Sequence, residues 1–260
     1  MKHHTLQEIA ARIDGAEELT VFVVGDSITE GARATDAEHT YTAVLARGLA
    51  ERYGDRTVIR YDGQRYPTPD AELRPLMTYG TPVIVQEGTG GRLTVVRSGI
   101  GGNTVRRILT RRRDFTKTEP CGRAADLYIM MMGINDALSS DPAKYVSPHG
   151  FAEDLRRLAE TLDRENPDAD VIWMTPTYND YGVERVSRLD AHAEQMRVVA
   201  REYGIPVIDQ HRLWMEHLTV GEANYGQGDW LSGAEGDKCH PGDRGHGVIA
   251  EAILNELFGK

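Results

Sequence analysis

The stretch TVFVVGDS, residues 20–27, joins a short apolar run to a polar tripeptide. Apolar runs of strand length recur along the rest of the chain, at residues 93–96, 127–132, 171–174 and 205–208. Amphipathic stretches follow most of these runs, and this alternation predicts an α/β fold in which helices cover a parallel sheet. Pro206 lies in the last run, and we expect that strand at a sheet edge because proline cannot donate to an inner ladder.

Three stretches carry apolar residues three or four positions apart, or at multiples of that spacing, which places them on one helical face. They are Phe151, Leu155, Leu158 and Leu162; Val183, Val186, Leu189, Met196, Val199 and Tyr203; and Val248, Ile249, Ile253 and Leu257. The pattern predicts three amphipathic helices. Asp243 precedes the last one and is predicted to be its N-cap, since a carboxylate accepts from the unpaired amides of a first turn.

The composition is that of a globular protein. Of 260 residues, 40% are hydrophobic and 27% are charged, which excludes the disordered and fibrous classes. We expect a single domain over residues 1–260, because no linker is visible. Two stretches, at about 61–91 and 219–236, lack the apolar periodicity that a second core would need. They are predicted to be loop insertions.

The charge balance limits the classes of partner. Forty acidic against 30 basic residues give a formal net charge of -10, which disfavours binding to nucleic acid and to anionic lipid. The basic cluster formed by Arg106, Arg107 and Arg111 to Arg113 is interpreted as a solvated helix face. We therefore expect neither a nucleic acid nor a membrane as partner.

The N-terminal segment, Met1 to Gly15, carries no apolar run. This argues against a signal peptide or a spanning helix and predicts a cytoplasmic protein. Cys121 and Cys239 are then expected to be reduced thiols.

Polar residues follow the first three apolar runs. The sequence Gly25-Asp26-Ser27 ends the first, Gly99-Ile100-Gly101-Gly102-Asn103 follows the second, and Gly133-Ile134-Asn135-Asp136 follows the third. The carboxyl ends of parallel strands meet at one edge of a sheet, where α/β proteins bind ligands. Taken alone, the tripeptide is better explained by a turn that Asp26 or Ser27 caps. The convergence of three strand ends makes Ser27 a candidate nucleophile.

Asp237 and His240 lie three residues apart just before the last predicted helix. At this spacing one short turn lets the carboxylate face Nδ1 of the imidazole and leaves Nε2 free to face a serine. The pair thus supplies a base and the group that orients it. The chain has nine histidines, and the other eight are interpreted as structural.

The sequence does not indicate a cofactor or a metal. Gly99, Gly101 and Thr104 fall one glycine short of a dinucleotide fingerprint, and a P-loop is absent. His240 and His246 are not spaced to share one face of a helix, as two metal ligands on a helix would be. We therefore expect no cofactor and no metal.

Four segments, in this order along the chain, resemble the sequence blocks of the SGNH hydrolase superfamily, also called GDSL esterases: Gly25-Asp26-Ser27, the Gly102 region, Gly133-Ile134-Asn135-Asp136 and Asp237-Lys238-Cys239-His240. The resemblance spans nearly the whole chain. It implies that Ser27 is the nucleophile, His240 the general base and Asp237 its partner. It also implies an oxyanion hole made by the Ser27 amide, Gly102 and Asn135. The implied fold is a three-layer α/β/α flavodoxin-like one, whose five-stranded parallel sheet has the order 2-1-3-4-5.

Within the superfamily, the chain looks most similar to bacterial intracellular acetylxylan esterases and related carbohydrate deacetylases. The similarity lies in Gly101–Ile108, Met132–Ala137, Trp173–Tyr178 and the helix after Val183. Two features depart from the family pattern. Many members have asparagine where Arg97 stands, which leaves the support of the Gly102 turn open, and the insertion at 61–91 is longer than expected.

These residues and the resemblance predict a serine esterase that removes a small acyl group, in the first place acetyl, from a sugar or oligosaccharide through an acyl-enzyme. Asp26, Tyr178 and Trp230 are the candidate substrate-binding residues, although packing explains the two aromatic ones about as well. The enzymatic alternative is a lysophospholipase or thioesterase, but the polar insertions offer it no amphipathic lid and no apolar tunnel. A non-catalytic carbohydrate-binding module is the third alternative, which the complete triad disfavours. The resemblance to the deacetylases also suggests a homo-oligomer.

Overall fold

The computed structural model of the chain describes residues 4–65, 77–116, 124–139, 145–218, 225–226 and 228–259. Its strands are β1 (Glu18–Gly25), β2 (Thr57–Arg65), β3 (Met77–Tyr79), β4 (Val83–Gln86), β5 (Arg92–Gly99), β6 (Leu127–Met131), β7 (Asp170–Met174) and β8 (Val207–Ile208). Its helices are α1 (Leu6–Gly15), α2 (Ser27–Glu30), α3 (Tyr41–Arg52), α4 (Val105–Thr110), α5 (Arg113–Thr116), α6 (Ile134–Leu138), α7 (Pro148–Glu165), α8 (Val183–Tyr203), α9 (Gln210–His217) and α10 (Asp243–Phe258), with a short 3₁₀ helix at Ala37–His39.

The strands form one sheet in the order β3-β2-β5-β1-β6-β7-β8, and β4 also pairs with β2. The five strands expected from the apolar runs are β1, β5, β6, β7 and β8. They pair in parallel in the order β5-β1-β6-β7-β8, so the predicted order 2-1-3-4-5 is confirmed for them. Strand β8 lies at the edge of the sheet, as Pro206 indicates.

The count of strands differs from the expectation, since the described part of the sheet has eight strands rather than five. Strand β2 extends the sheet in parallel beside β5, and β3 and β4 pair with β2 in antiparallel fashion. The stretch 61–91, interpreted as a loop insertion, thus contains the end of β2 and both short strands, while its residues 66–76 lie outside the described residues. The apolar runs miss β2 because Arg60 is buried in it, held by Glu38 and Asp62.

Helices cover both faces of the sheet, which confirms the three-layer architecture. Alternate residues of β1 point to opposite faces. Val21 and Val23 join a core that also contains side chains of α1, α3 and α10, whereas Phe22 and Val24 join a core built with α4, α7 and the C-terminal half of α8. Of the described helices, none combines the length and apolarity needed to cross a bilayer.

The predicted helical faces are buried in α7 and α10, where every apolar residue named from the pattern belongs to a core. In α8 the pattern begins one turn too early, because Val183 is 71% exposed at the first residue of the helix. The N-cap prediction for Asp243 is wrong. Gly242 caps α10, and the carboxylate of Asp243 instead accepts hydrogen bonds from the amide and hydroxyl of Thr35.

Candidate active site

Ser27 is the first residue of α2, immediately after β1. Asp26 is the N-cap of this short helix and accepts a hydrogen bond from the Ile28 amide at 3.0 Å. The turn between strand and helix is tight. A Cβ at Gly25 would lie 2.0 Å from Oγ1 of Thr29 and 2.6 Å from the carbonyl oxygen of Met131, so only glycine fits here. The turn leaves Ser27 partly exposed at the carboxyl end of the sheet.

His240 faces Ser27 from the segment that leads into α10. Its Nε2 lies 2.8 Å from Oγ of Ser27, and its Nδ1 lies 2.8 and 3.0 Å from the two carboxylate oxygens of Asp237. Because an ionised carboxylate only accepts, the arrangement selects the tautomer with the proton on Nδ1 and a lone pair on Nε2. The structure therefore brings the three predicted triad residues into one hydrogen-bonded chain.

The electrostatic setting keeps Asp237 ionised. Burial acts to raise the pKa of this carboxyl, but the hydrogen bond from Arg33 and the charge of His240 outweigh burial and hold the pKa below its ordinary value. Arg33 Nε donates to Oδ2 of Asp237 at 2.7 Å. Sequence reasoning missed Arg33, because no motif or periodicity marks a residue that meets its partner 204 positions away.

The segment after β5 supplies the second predicted group of site residues. Gly102 has a φ of 75°, a conformation that favours glycine, while a Cβ at this position would meet no protein atom within 4 Å. The neighbouring Gly101 amide donates to Oε2 of Glu30 at 2.7 Å, and a Cβ there would lie 3.7 Å from Cβ of Ser27. The turn at Gly102 therefore borders the serine.

Asn135 reaches the same turn from α6. Its Nδ2 donates to the carbonyl oxygen of Asn103 at 3.0 Å, and its side chain is partly exposed. Within the described part of the chain, the Gly102 amide has no acceptor. A carbonyl oxygen of a substrate is the kind of acceptor that such a set of donors fits.

The interpretation of the arginine cluster as a solvated helix face is wrong for Arg111, which is buried. Arg111 is 3% exposed, and its guanidinium donates to the carbonyl oxygens of Gly25 and Ser98, at the ends of β1 and β5. With the Asn103 amide oriented to satisfy its hydrogen bonds, its oxygen also accepts from Nε of Arg111 at 2.8 Å. Arg97 stands where many family members have asparagine, which left open what supports the turn at Gly102. Arg111 provides this support, because its hydrogen bonds connect the turn after β5 to the end of β1, the strand that precedes Ser27.

Arg97 itself has a different role from the asparagine of many family members. Its Nη1 donates to the carbonyl oxygen of Glu30 at 2.6 Å, and its Nε lies 3.4 Å from Oδ1 of Asp62 on β2. It therefore supports the end of α2, whereas Arg111 and Asn103 support the turn at Gly102.

Two buried carboxyl groups lie behind the site. Burial raises the pKa of Asp26 to about 7, against hydrogen bonds to its carboxyl and the charge of Arg111. Burial also raises the pKa of Asp136 to about 8, opposed by the hydrogen bond from the Val105 amide. Both carboxyl groups are held in the protein interior, where they orient the chain rather than meet solvent.

The three predicted substrate-binding residues are not gathered on one open surface. Asp26 is 1% exposed and Tyr178 is fully buried, with its hydroxyl 3.4 Å from Oδ1 of Asp180. Neither offers a sugar ring a surface in this conformation. Trp230 packs edge-on against Trp214 and stacks on His217, so packing accounts for much of its ring surface.

Cys239 adds a thiol to the triad segment. Its Sγ lies 3.7 Å from Nδ1 of His240 and 3.9 Å from Oδ1 of Asp237, so the three side chains have ligand atoms close enough for a metal ion. Burial raises the pKa of this thiol to about 12, and a protonated thiol is a poor ligand and a poor nucleophile. The donor set fits a hydrogen-bonded triad better than a metal centre. Cys239 is a free thiol, and Cys121 lies outside the described residues.

Residues 78–248 match the family of GDSL-like lipases and acylhydrolases. The match covers more than half of the chain and includes Gly102, Asn135, Asp237 and His240. The chain belongs to the GDSL-like lipase/acylhydrolase family. The resemblance to SGNH hydrolases is thereby confirmed, and membership of this family makes the protein an acylhydrolase.

Solved structures share the fold at low sequence identity. An alpha/beta hydrolase enzyme from the metagenome of Lake Arreo, Spain, is 23% identical with a TM-score of 0.61, and the alignment covers 93% of this chain and 95% of that one. An acetylxylan esterase from Geobacillus stearothermophilus gives the same identity, TM-score and coverage. A lipase/acylhydrolase from Enterococcus faecalis is 19% identical with a TM-score of 0.60, covering 92% and 95% of the two chains. A search of curated proteins returns no match.

Proposed function

We propose that the protein is a serine esterase that removes a small acyl group, in the first place acetyl, from a hydroxyl of a carbohydrate. The observation that carries the proposal is the chain of hydrogen bonds from Ser27 through His240 to Asp237. A serine hydroxyl is a weak nucleophile unless a base accepts its proton. The lone pair of Nε2, 2.8 Å from Oγ, is placed to do so.

The reaction proceeds in two halves. Oγ of Ser27 bonds to the carbonyl carbon of the ester while its proton passes to Nε2 of His240. The tetrahedral intermediate then collapses, the bond from carbon to the alcohol oxygen breaks, and His240 returns the proton to the leaving alcohol. In the second half a water molecule gives its proton to His240 and attacks the acyl-enzyme, which releases the acid and restores the Ser27 hydroxyl.

The negative charge that develops on the carbonyl oxygen needs donors that are already in place. The proposal assigns this role to the amides of Ser27 and Gly102 and to Nδ2 of Asn135. The conformation of Gly102, with its amide left without an acceptor in the described chain, supports that assignment. The Arg111–Asn103 contact fixes the turn and so limits the reorganisation that the transition state would require.

Polar surroundings favour a short acyl group. The carboxylate of Glu30 contacts the Gly101 amide beside the serine, and the guanidinium of Arg33 contacts Asp237 behind the histidine. A long acyl chain needs apolar walls to leave water, whereas an acetyl group needs very few. A carbohydrate as the alcohol component is further supported by the likeness of the fold to an acetylxylan esterase.

The test is a series of p-nitrophenyl esters from acetate to octanoate, together with release of acetate from acetylated xylo-oligosaccharides. We expect kcat/KM to be highest for the acetate and to fall with each longer chain, and we expect the oligosaccharides to lose acetate. Ser27→Ala should reduce turnover by about 10³-fold or more. Ser187→Ala, an exposed serine on α8, is the matched control and should retain full activity.

Each alternative has its own outcome in the same series. Activity that stays level out to octanoate would contradict the acetyl specificity and favour the lysophospholipase or thioesterase alternative. Acetate release from the p-nitrophenyl ester but from no acetylated carbohydrate would contradict the carbohydrate substrate. A folded parent protein without activity on any ester would contradict the enzymatic proposal and leave the binding-module alternative.

A further inference from the structure

The turn that follows α2, residues 31–35, has an unusual backbone. Arg33 has a φ of 69°, and among the residues that the structure describes it is the one non-glycine residue with a left-handed φ. An L-amino acid with a long side chain seldom adopts this conformation, because its Cβ crowds the following carbonyl oxygen. A strained residue beside a reactive group is reason to ask what its side chain does there.

The side chain of Arg33 reaches the carboxylate of the triad. Nε of Arg33 donates to Oδ2 of Asp237 at 2.7 Å, and Nδ1 of His240 lies 2.8 Å from the same oxygen. The carboxylate is nearly buried, whereas the guanidinium is half exposed. Arg33 and His240 therefore share one acceptor atom, and any movement of the carboxylate would alter both contacts.

The same turn is bonded to both halves of the site. The Ala32 amide donates to the carbonyl oxygen of Ser27 at 2.8 Å, which anchors one end of the turn to the nucleophile. At the other end, the amide and hydroxyl of Thr35 donate to the carboxylate of Asp243 at 2.8 and 2.6 Å. Nε2 of His246 lies 3.2 Å from the carbonyl oxygen of Ala32. Residues 31–35 thus connect the start of α2 to the start of α10, and Arg33 contacts a side chain of the triad with its own side chain.

We propose that Arg33 is a positioning residue, which holds Asp237 in the orientation that His240 needs and offsets part of the carboxylate charge. The inference rests on the proposed esterase function. Without a neighbouring cation, the full negative charge of the Asp237 carboxylate would stabilise the protonated imidazole, which cannot accept a proton from Ser27. The guanidinium, whose Nε lies 2.7 Å from the shared carboxylate oxygen, offsets part of that charge.

The decisive variant is Arg33→Gly. Glycine adopts a left-handed φ without strain, so the turn is retained while the guanidinium is removed. If Arg33 served only the turn, this variant would be as active as the parent and at least as stable. Our expectation is a fall in kcat on the order of 10-fold to 100-fold with little change in KM for p-nitrophenyl acetate. Arg33→Lys keeps a cation at this place and should recover part of the loss.

The pH profile separates positioning from general damage. We expect the acidic limb of kcat/KM to move up by about one pH unit in Arg33→Gly and by less in Arg33→Lys. Other ionisable groups lie on the segments around the pair, among them Asp26, Glu30, Asp180, Tyr181, Glu235, Lys238, Cys239, Asp243 and His246. These groups are the same in the parent and in the variants. A difference in the acidic limb of kcat/KM is therefore due to the loss of the guanidinium.

A matched control and a second readout complete the test. The control is Arg156→Met. Arg156 on α7 makes two hydrogen bonds to the carboxylate of Glu202 on α8, away from the active site, so its loss should leave the pH profile of kcat/KM unchanged. The Nδ1 proton of His240, observed by NMR without any substrate and assigned with His240→Gln, should exchange with solvent faster in Arg33→Gly, because the carboxylate that holds it has lost the hydrogen bond from Arg33. This readout stands even if the protein hydrolyses no ester, so failure of the proposed function is distinguishable. Equal kcat, equal pH profiles of kcat/KM and equal exchange rates of the His240 Nδ1 proton in parent and Arg33→Gly would overturn the inference.

Discussion

Both ring nitrogens of His240 are engaged, and the two contacts have different consequences. The contact to Asp237 fixes the ring and its tautomer, and the contact to Ser27 is the one through which a proton would move. Ser27 lies 213 positions from His240 in the sequence. The two were predictable as partners because Ser27 follows a strand at the edge of the sheet where ligands bind, and because Asp237, three residues before His240 and close to the last predicted helix, marks His240 out from the other histidines.

Asn135 gives the first prediction at this scale. We expect Asn135→Ala to lower kcat by about 10² to 10³-fold with a small effect on KM, because the proposed donor acts on charge that develops only in the transition state. Initial rates with p-nitrophenyl acetate measure both constants. Asn255→Ala, an exposed asparagine on α10, is the control for the same change of side chain. A rise in KM at constant kcat would show instead that Asn135 binds the ground state.

Some residues of the site had no signal in the sequence. Glu30, Arg33 and Arg111 act through partners that only the folded chain brings near. Arg111 stands in a row of three arginines, and such a row normally indicates a solvated face. Arg111 is buried because its guanidinium donates to the carbonyl oxygens of Gly25 and Ser98 at the ends of two strands, and these strands come next to it only in the folded chain.

At the scale of elements, α6 and α4 meet through Asp136, whose carboxyl accepts from the first amide of α4 at 3.2 Å. The pKa of this carboxyl, raised by burial to about 8 from its ordinary 3.8, makes the contact dependent on pH. Between these values the folded chain holds a proton that the unfolded chain has lost. The free energy of unfolding therefore falls as pH rises through that window.

Asp26 and His246 also change the pH dependence of the free energy of unfolding. The raised pKa of Asp26 also makes the free energy of unfolding fall as pH rises, up to about pH 7. Burial lowers the pKa of His246 to about 4, so the folded chain holds fewer protons than the unfolded chain between about 4 and 6.5, and this contribution makes stability rise with pH. Below pH 6.5, the contribution of His246 to the free energy of unfolding opposes the contributions of Asp26 and Asp136. Above pH 6.5, His246 no longer opposes the two aspartates.

Asp136→Asn tests this reasoning. Urea denaturation of the parent should give a free energy of unfolding that falls between pH 6.5 and 8, by at most about 1.4 kcal/mol per pH unit for each proton involved. The variant should show a shallower fall, because its amide does not titrate. Glu202→Gln is the control, since the hydrogen bond from Arg156 lowers the pKa of that carboxyl and confines its effect to acid pH. Equal slopes in parent and Asp136→Asn would contradict the assignment.

Helices and strands could be predicted from the sequence where their apolar residues form a continuous run or a regular pattern, and not where a buried charged residue interrupts the run. Helix α7 and strands β1, β5 and β6 follow from apolar periodicity, because each buries apolar residues and exposes polar ones or is buried on both faces. Strand β2 was not predictable in this way, because Arg60 is buried in its middle and is paired with Asp62 and with Glu38 of the 3₁₀ helix. Asp243 shows the same limit, since its carboxylate bonds to Thr35 rather than to its own helix.

For the molecule as a whole, the sheet order explains how the site assembles. Strand β1 lies between β5 and β6, so Ser27 emerges flanked by the turn at Gly102 and by the start of α6 with Asn135. Helix α10 packs against α3 and α1 on one face of the sheet and thereby brings the segment with His240 back to β1. Four separate regions of the chain meet at one place because a parallel sheet aligns the carboxyl ends of its strands.

The most direct test of the central claim is mapping of a fluorophosphonate label by mass spectrometry. The reagent bonds to a serine only when a neighbouring base activates its hydroxyl. The account predicts a single labelled residue, Ser27, with labelling strongly slowed in a folded His240→Gln variant and unaffected in Ser187→Ala. Labelling at another residue, or labelling of Ser27 at the same rate without the imidazole of His240, would contradict it.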